Sequence, residues 1–322
     1  MSARQADVGT GPVLFLGGLG RSGTTLLERM LGELPGVASL GEVVHLWERA
    51  LRDDEKCGCG EAFSACPFWT RVGERAFGGW DTLDADEVVD LKHRVDRTRF
   101  LPRLALPVLR PSVRRDLRAY LDLYERVYAA AREVSGAAAV VDSSKHVSLA
   151  YCLRWSRRAD LQVLHVLRDS PAVAYSWSRA VVRPEADDPE ELMPQYSLLR
   201  VAVRWNVDNL MYDLLSLLGT RRRIVRYEAL VDDPREVLAP IAADAGVTVG
   251  EGDLGFLTEG GALLRTTHTV AGNPMRFRSG ALVVRRDDAW RTRMRRRDRR
   301  LMAALTAPVR ARYGYGVRGR AA

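Results

Sequence analysis

A chain of 322 residues that is 47% hydrophobic and 28% charged has the length for a sizeable core and the composition of a globular protein. No apolar stretch approaches the ~20 residues that span a bilayer, and the N-terminus lacks the basic-then-apolar layout of a signal peptide, so a cytoplasmic location with no membrane partner is expected. The net charge of +8 is almost wholly arginine, Lys56, Lys92 and Lys145 being the only lysines; such a bias fits GC-rich coding and by itself is weak support for a nucleic-acid partner.

In chain order, the apolar run Val13-Leu14-Phe15-Leu16 reads as a buried strand near 13–17, followed by a glycine-rich turn and an amphipathic helix from Thr25. A second strand is expected near 37–40, then a helix Val43–Ala50. Cys57, Cys59 and Cys66 cluster next and are compatible with one bridge or with three zinc ligands and an external fourth. A C-x-C pair with a lone third cysteine departs from the paired C-x₂-C spacing of zinc sites, so a structural loop without metal is expected. Cys152 reads as a small core residue.

A helical insert covers roughly 67–135, its longest segment running from Val113 to about Val134 and stopping at Ser135-Gly136. Helical spacing makes Tyr120, Tyr124 and Tyr128 a packing stripe. Further strands are expected near 138–142, 161–167 and 223–227. The segment Arg183-Pro184-Glu185-Ala186-Asp187-Asp188-Pro189 is polar and proline-broken, a loop over the site. The dense run Arg291 to Arg300 reads as a solvated helix face. With no internal repeat, these elements predict one α/β domain over 1–322: a P-loop-type central parallel sheet flanked by helices, with a helical insert.

The turn after the first strand, Gly18-Leu19-Gly20-Arg21-Ser22-Gly23-Thr24-Thr25, has the layout in which backbone N–H groups and a helix N-terminus cradle a phosphate. It keeps the glycine spacing of G-x-x-x-x-G-K-[ST] but carries Thr24 where a triphosphatase has lysine. Its loss argues for a different anion, with Arg21 as the cation in the loop. Ligands of open α/β sheets bind outside the carboxyl ends of the strands. There the second strand is followed by Gly41-Glu42, the third by Ser143-Ser144-Lys145, the fourth by Arg168-Asp169 and the fifth by Tyr227-Glu228. One edge would hold a cradle, three cations and a carboxylate, the parts needed to transfer an anionic group to a hydroxyl.

These residues resemble the sulfotransferases that use 3′-phosphoadenosine 5′-phosphosulfate (PAPS). The likeness lies in Gly20-Arg21-Ser22-Gly23-Thr24-Thr25, in Leu167-Arg168-Asp169-Ser170-Pro171 with Ser176 eight residues after the arginine, and in Arg276-Phe277-Arg278-Ser279-Gly280. Arg204-Trp205-Asn206, Met211-Tyr212 and the segment from Val225 to Pro234 are similar to the tyrosylprotein sulfotransferase-like bacterial branch. The resemblance covers about 12–45 and 138–290 and is patchy between 50 and 137. It implies that the backbone of 20–25 with Arg21 and Thr24 holds the 5′-phosphosulfate. Arg168 and Ser176 would grip the 3′-phosphate, supported by Arg276 or Arg278, with Tyr227 near the adenosine. Glu42 matches the base that takes the acceptor's proton, and Lys145 the group that stabilises the bridging oxygen. Arg179, three residues after Ser176, departs from the family's four-residue spacing.

The expected chemistry is in-line displacement by a hydroxyl of a small molecule, sugar or peptide, catalysed by Glu42, Arg21 and Lys145 with no metal. Activity is therefore expected to survive EDTA. His268 reads as an ordinary polar-loop histidine that lies close enough to the last motif to help position the acceptor. The rival readings are an atypical P-loop kinase or NTPase and a non-enzymatic basic binding protein; a homodimer is left open. The insert and the loop 183–195 are expected to shape the acceptor pocket.

Overall fold

The central sheet of the computed structural model, which describes residues 11–106, 108–180, 192 and 194–316, has five parallel strands in the order β2-β3-β1-β4-β5. They are β1 (Gly11–Gly17), β2 (Val37–Ser39), β3 (Ala139–Lys145), β4 (Ala159–Leu167) and β5 (Arg221–Arg226). All five lie where the apolar runs place them. Both faces of the central strand β1 are covered, which is why Val13 to Leu16 reads as a continuous apolar run, whereas the edge strand β5 buries only Val225. On β1, Val13 and Phe15 face a core shared with the insert, while Leu14 and Leu16 face one shared with the helices α1 (Thr24–Leu31) and Pro234–Asp244.

The insert holds α2 (Pro67–Phe77), α3 (Ala85–Val95), the single turn α4 (Leu101–Leu104) and α5 (Pro111–Ser135). Proline opens α5 and a left-handed Gly136 (φ 67°) closes it. Tyr120, Tyr124 and Tyr128 are fully buried along one face, with Tyr120 donating to Asp96 (2.9 Å) and Tyr128 to Asp142 (2.6 Å). The helix expected over Val43–Ala50 is instead a 3₁₀ turn, Val43–His45, running into a π-helical stretch, Leu46–Arg52. The Val44 carbonyl, which an α-helix would use for residue 48, is taken by Lys92 Nζ at 2.7 Å, and the wider turn follows.

Beyond β3 come α6 (Val147–Leu153), α7 (Ser170–Ser178), α8 (Leu198–Leu217) and α9 (Tyr227–Asp232). A small antiparallel sheet, β6 (Leu257–Thr258), β7 (Gly261–Leu264) and β8 (Gly280–Val283), was not expected from the sequence. The loop expected at 183–189 lies outside the described residues. Arg291 to Arg300 is mostly solvent-facing, and Arg291 pairs with Asp288 at 2.9 Å. No described helix is long and apolar enough to cross a membrane.

On β4, fully buried His165 has Nε2 at 2.8 Å from the Asn209 amide oxygen and Nδ1 at 3.1 Å from Arg222. Arginine can only donate, so Nδ1 accepts and the ring is neutral. Burial lowers its pKa to about 4. The unfolded chain, near 6.5, takes the proton first, so stability is complete above about pH 6.5 and is lost as pH falls toward 4, by roughly 3 kcal/mol. His165→Gln should flatten that part of the denaturation midpoint-versus-pH curve. Parallel curves for wild type and variant would remove His165 as the acid-sensitive group.

Candidate active site

Between β1 and α1 the backbone turns through three residues with positive φ, Gly18 (126°), Arg21 (73°) and Gly23 (96°). Turns of this kind gather N–H groups into an anion-binding concavity, and the N-terminus of α1 adds its positive end. Ser22 and Thr24 are buried in the loop, and Thr25 continues the first turn of α1. Trp177 on α7 donates its indole N–H to the Gly20 carbonyl (2.9 Å) and lies under the Arg21 guanidinium at 5.4 Å. Burial draws the Arg21 pKa below its usual value, Glu42 opposes this and Arg179 adds to it, so Arg21 and Glu42 share one electrostatic neighbourhood.

Gly23 also fixes the relation of the loop to Tyr227, since a Cβ there would sit 2.6 Å from the tyrosine ring. We expect Gly23→Ala to cost about 1–2 kcal/mol from the left-handed backbone alone and to displace Tyr227. Thermal unfolding of the variant checks this, and an unchanged Tm would contradict it.

Glu42 follows Gly41, whose left-handed backbone (φ 86°) bridges to Val270. The Glu42 amide donates to the Val270 carbonyl at 2.8 Å, and Gly41 accepts from the Ser143 amide at 2.8 Å. A strand end and the segment around Val270 therefore set the direction of the glutamate. Although Glu42 begins a 3₁₀ turn, its carboxylate makes no capping bond. It pairs with Lys145 Nζ through Oε1, and Oε2 is 3.7 Å from His45 Nε2. Lys145 ends β3 opposite Gly17, itself in the left-handed region (φ 63°), with Tyr212 donating to its carbonyl at 2.9 Å. Beneath them buried Glu28 on α1 accepts from Ser39 (2.8 Å) and Ser143 (2.7 Å), tying the helix to β2 and β3. Burial raises the Glu28 pKa, with the two serines opposing.

Arg168, at the end of β4, lies with its guanidinium over the Tyr227 ring at 4.3 Å and donates to the Arg21 carbonyl (3.3 Å). Its other contacts are the Asp287 carbonyl (3.0 Å) and carboxylate (3.3 Å). The neighbouring Asp169 is held by Arg310 at 2.9 Å, not by Arg168. The Arg168 Nε is buried with no hydrogen-bond partner. Ser176 lies half-buried on α7, one residue before Trp177.

The two late arginines fare differently. Arg276 is buried, donating to the carbonyls of Thr269 (2.9 Å) and Lys56 (2.8 Å), so it braces the segment behind Glu42. Arg278 is exposed. His268 faces the cysteine loop, its Nδ1 3.2 Å from Cys66 Sγ. Sequence reasoning gave no role to His45, which stands beside Glu42 and packs edge-on to His146 (ring centroids 5.5 Å), or to Tyr212. Tyr212 was noticed only as part of Met211-Tyr212, and isolated histidines carry no spacing signal. Burial keeps the His45 pKa well below the usual histidine value.

The chain is thus an α/β protein with a glycine-rich loop at the end of its central strand and a glutamate–lysine pair beside it. Residues 12–62, from β1 through Glu42 to the cysteine loop, match the model of the Sulfotransferase family. The likeness read from the sequence holds at the family level, with no branch singled out. No curated protein matches the chain. Among solved structures it is similar to the sulfotransferase domain of the Synechococcus PCC 7002 olefin synthase (TM-score 0.47, 21% identity, covering 95% of this chain and 98% of that one). It is also similar to the sulfotransferase domain from the curacin biosynthetic pathway (0.47, 17%, 92% and 98%) and to a sulfotransferase from Alicyclobacillus acidocaldarius (0.44, 15%, 94% and 94%). The overlap is loose in all three.

Proposed function

We propose that the chain transfers the sulfuryl group of PAPS to a hydroxyl acceptor. The observation that carries this reading is the Glu42–Lys145 pair set one strand away from the loop of residues 20–25. Such a pair offers a base for the acceptor proton and a cation for the bridging oxygen. Arg168, with a buried unpaired Nε and the Tyr227 ring under its guanidinium, fits a nucleotide carrying a second phosphate.

In the reaction, the acceptor oxygen attacks sulfur as the bond from sulfur to the phosphate oxygen breaks. The acceptor proton passes to Glu42, and 3′,5′-adenosine bisphosphate (PAP) leaves with the electron pair. Charge grows on the bridging oxygen, which Lys145 and Arg21 stabilise as fixed donors. Ser176 and Arg168 hold the 3′-phosphate and Tyr227 the adenosine side. Arg276 is assigned as a brace, leaving Arg278 as the late arginine able to reach a ligand. The kinase alternative needs an acid at the end of β4 free to hold a metal, whereas Asp169 is paired with Arg310.

Incubation with labelled PAPS and a panel of phenols, sugars and peptides tests the reading. Label transfer to a hydroxyl, unaffected by brief treatment with EDTA, is expected. Transfer of phosphate from ATP under the same conditions would replace it with the kinase reading.

A further inference from the structure

The C-x-C pair with a lone third cysteine argues against zinc at the cysteine loop, because zinc sites usually show paired C-x₂-C spacing. In the fold, Cys57, Cys59, Cys66 and His268 converge, with one ligand atom from each lying within 4.8 Å of the others. The sulfur atoms of Cys57 and Cys59 are 3.5 and 3.8 Å from that of Cys66, and His268 Nδ1 is 3.2 Å from Cys66 and 4.0 Å from Cys57. Bonds of about 2.3 Å to sulfur and 2.0–2.1 Å to nitrogen in a tetrahedron put sulfur atoms about 3.8 Å apart and sulfur about 3.5 Å from nitrogen. The observed edges bracket those lengths. All three cysteines are free thiols.

From this geometry we infer that Cys57, Cys59, Cys66 and His268 form a structural zinc site. Three sulfurs and one imidazole nitrogen this close together suit Zn²⁺ above magnesium or calcium, which prefer oxygen. Neighbouring groups hold the two segments together. Phe68 stacks on the His268 ring at 5.3 Å, Trp69 donates to the His268 carbonyl (2.8 Å), and Gly58 donates to the Thr269 carbonyl (2.9 Å). With all four positions filled by protein, the ion has no open coordination place and takes no part in sulfuryl transfer.

Its role follows from connectivity. His268 stands two residues before Val270, whose carbonyl fixes the Glu42 amide, and Arg276 joins the Thr269 and Lys56 carbonyls across the same seam. Zinc would clip the cysteine loop to the segment that aims Glu42.

The test is elemental analysis of the full chain purified without chelator from zinc-supplemented cells, followed by Co²⁺ replacement as a spectroscopic probe. About one zinc per chain is expected, along with thiolate-to-cobalt absorption, and both should fall to under about one tenth in Cys59→Ser and His268→Ala. Cys152→Ser, outside the cluster, should keep its zinc. Cys59 is only half-buried, so Cys59→Ser tests the site with little risk to folding. Sub-stoichiometric zinc in wild type together with no cobalt band would overturn the proposal, as would a disulfide among Cys57, Cys59 and Cys66 in protein purified under reducing conditions. None of these readouts uses PAPS, so the zinc site stands or falls apart from the sulfuryl-transfer reading.

Discussion

Turnover is expected to fall about 10²-fold or more in Glu42→Gln, the usual size of a general-base contribution, while PAP affinity stays within about threefold of wild type. The separation follows from position. Glu42 is set by the Gly41–Val270 bridge and by Lys145, whereas the groups assigned to PAP belong to the β1–α1 loop, the end of β4 and α7. Glutamine keeps the shape of the side chain and one oxygen to accept from Lys145, so the fold should hold. It cannot take a proton. Lys145→Ala is the complementary change and should lower turnover and weaken PAP, since its ammonium serves the bridging oxygen. Single-turnover kinetics with saturating PAPS separate chemistry from product release. Near-normal turnover in Glu42→Gln would remove the carboxylate from the mechanism and leave it as a partner for Lys145.

Arg168→Ala is expected to weaken PAP binding about 10- to 100-fold and to leave 5′-AMP almost unaffected. Charge-assisted hydrogen bonds to a phosphate contribute roughly 1.5–3 kcal/mol each. 5′-AMP lacks the 3′-phosphate that Arg168 is assigned to hold. The present partner of the guanidinium is Asp287, which is more exposed and competes for the same donors. Asp287→Ala should therefore leave PAP affinity equal or tighter, and it controls for damage to the fold. Calorimetric titration of both ligands against all three proteins reads the outcome. Equal loss for both ligands in Arg168→Ala would show that Arg168 serves the common 5′ part.

The central strands were legible because they are buried on both faces and mostly apolar, as Val13 to Leu16 is, whereas the edge strand Arg221–Arg226 buries only Val225 and showed only the short apolar pair Ile224-Val225. Strand ends were informative for the same reason: the pattern breaks where the chain meets the site, at Gly18, Gly41, Lys145 and Arg168. The small sheet β6–β8 was not legible. Its strands have two to four residues, too few for an alternation to show, and Leu263 and Val283 are exposed apolar residues. The helix read over Val43–Ala50 had the right period, but a distant lysine, Lys92, captured a carbonyl the helix needed. Arg276 reads from its motif as an anion ligand, and in the fold it also donates to the Thr269 and Lys56 carbonyls, because buried braces and ligand grips use the same residue. The Cys57–His268 grouping was hidden by the unusual C-x-C spacing of its cysteines and by the distance in sequence to His268, although three of its four members were already seen together.

Sulfuryl transfer from PAPS requires a nucleotide with a 3′-phosphate and a 5′-phosphate to be the ligand of the β1–α1 loop and Arg168. Calorimetric titration of the full chain with PAP, Mg²⁺-ATP and duplex DNA compares the three readings in one format. PAP is predicted to bind at least about tenfold more tightly than Mg²⁺-ATP, with a one-to-one stoichiometry and no requirement for Mg²⁺. Tighter binding of Mg²⁺-ATP, or binding of duplex DNA with no measurable affinity for PAP, would contradict it.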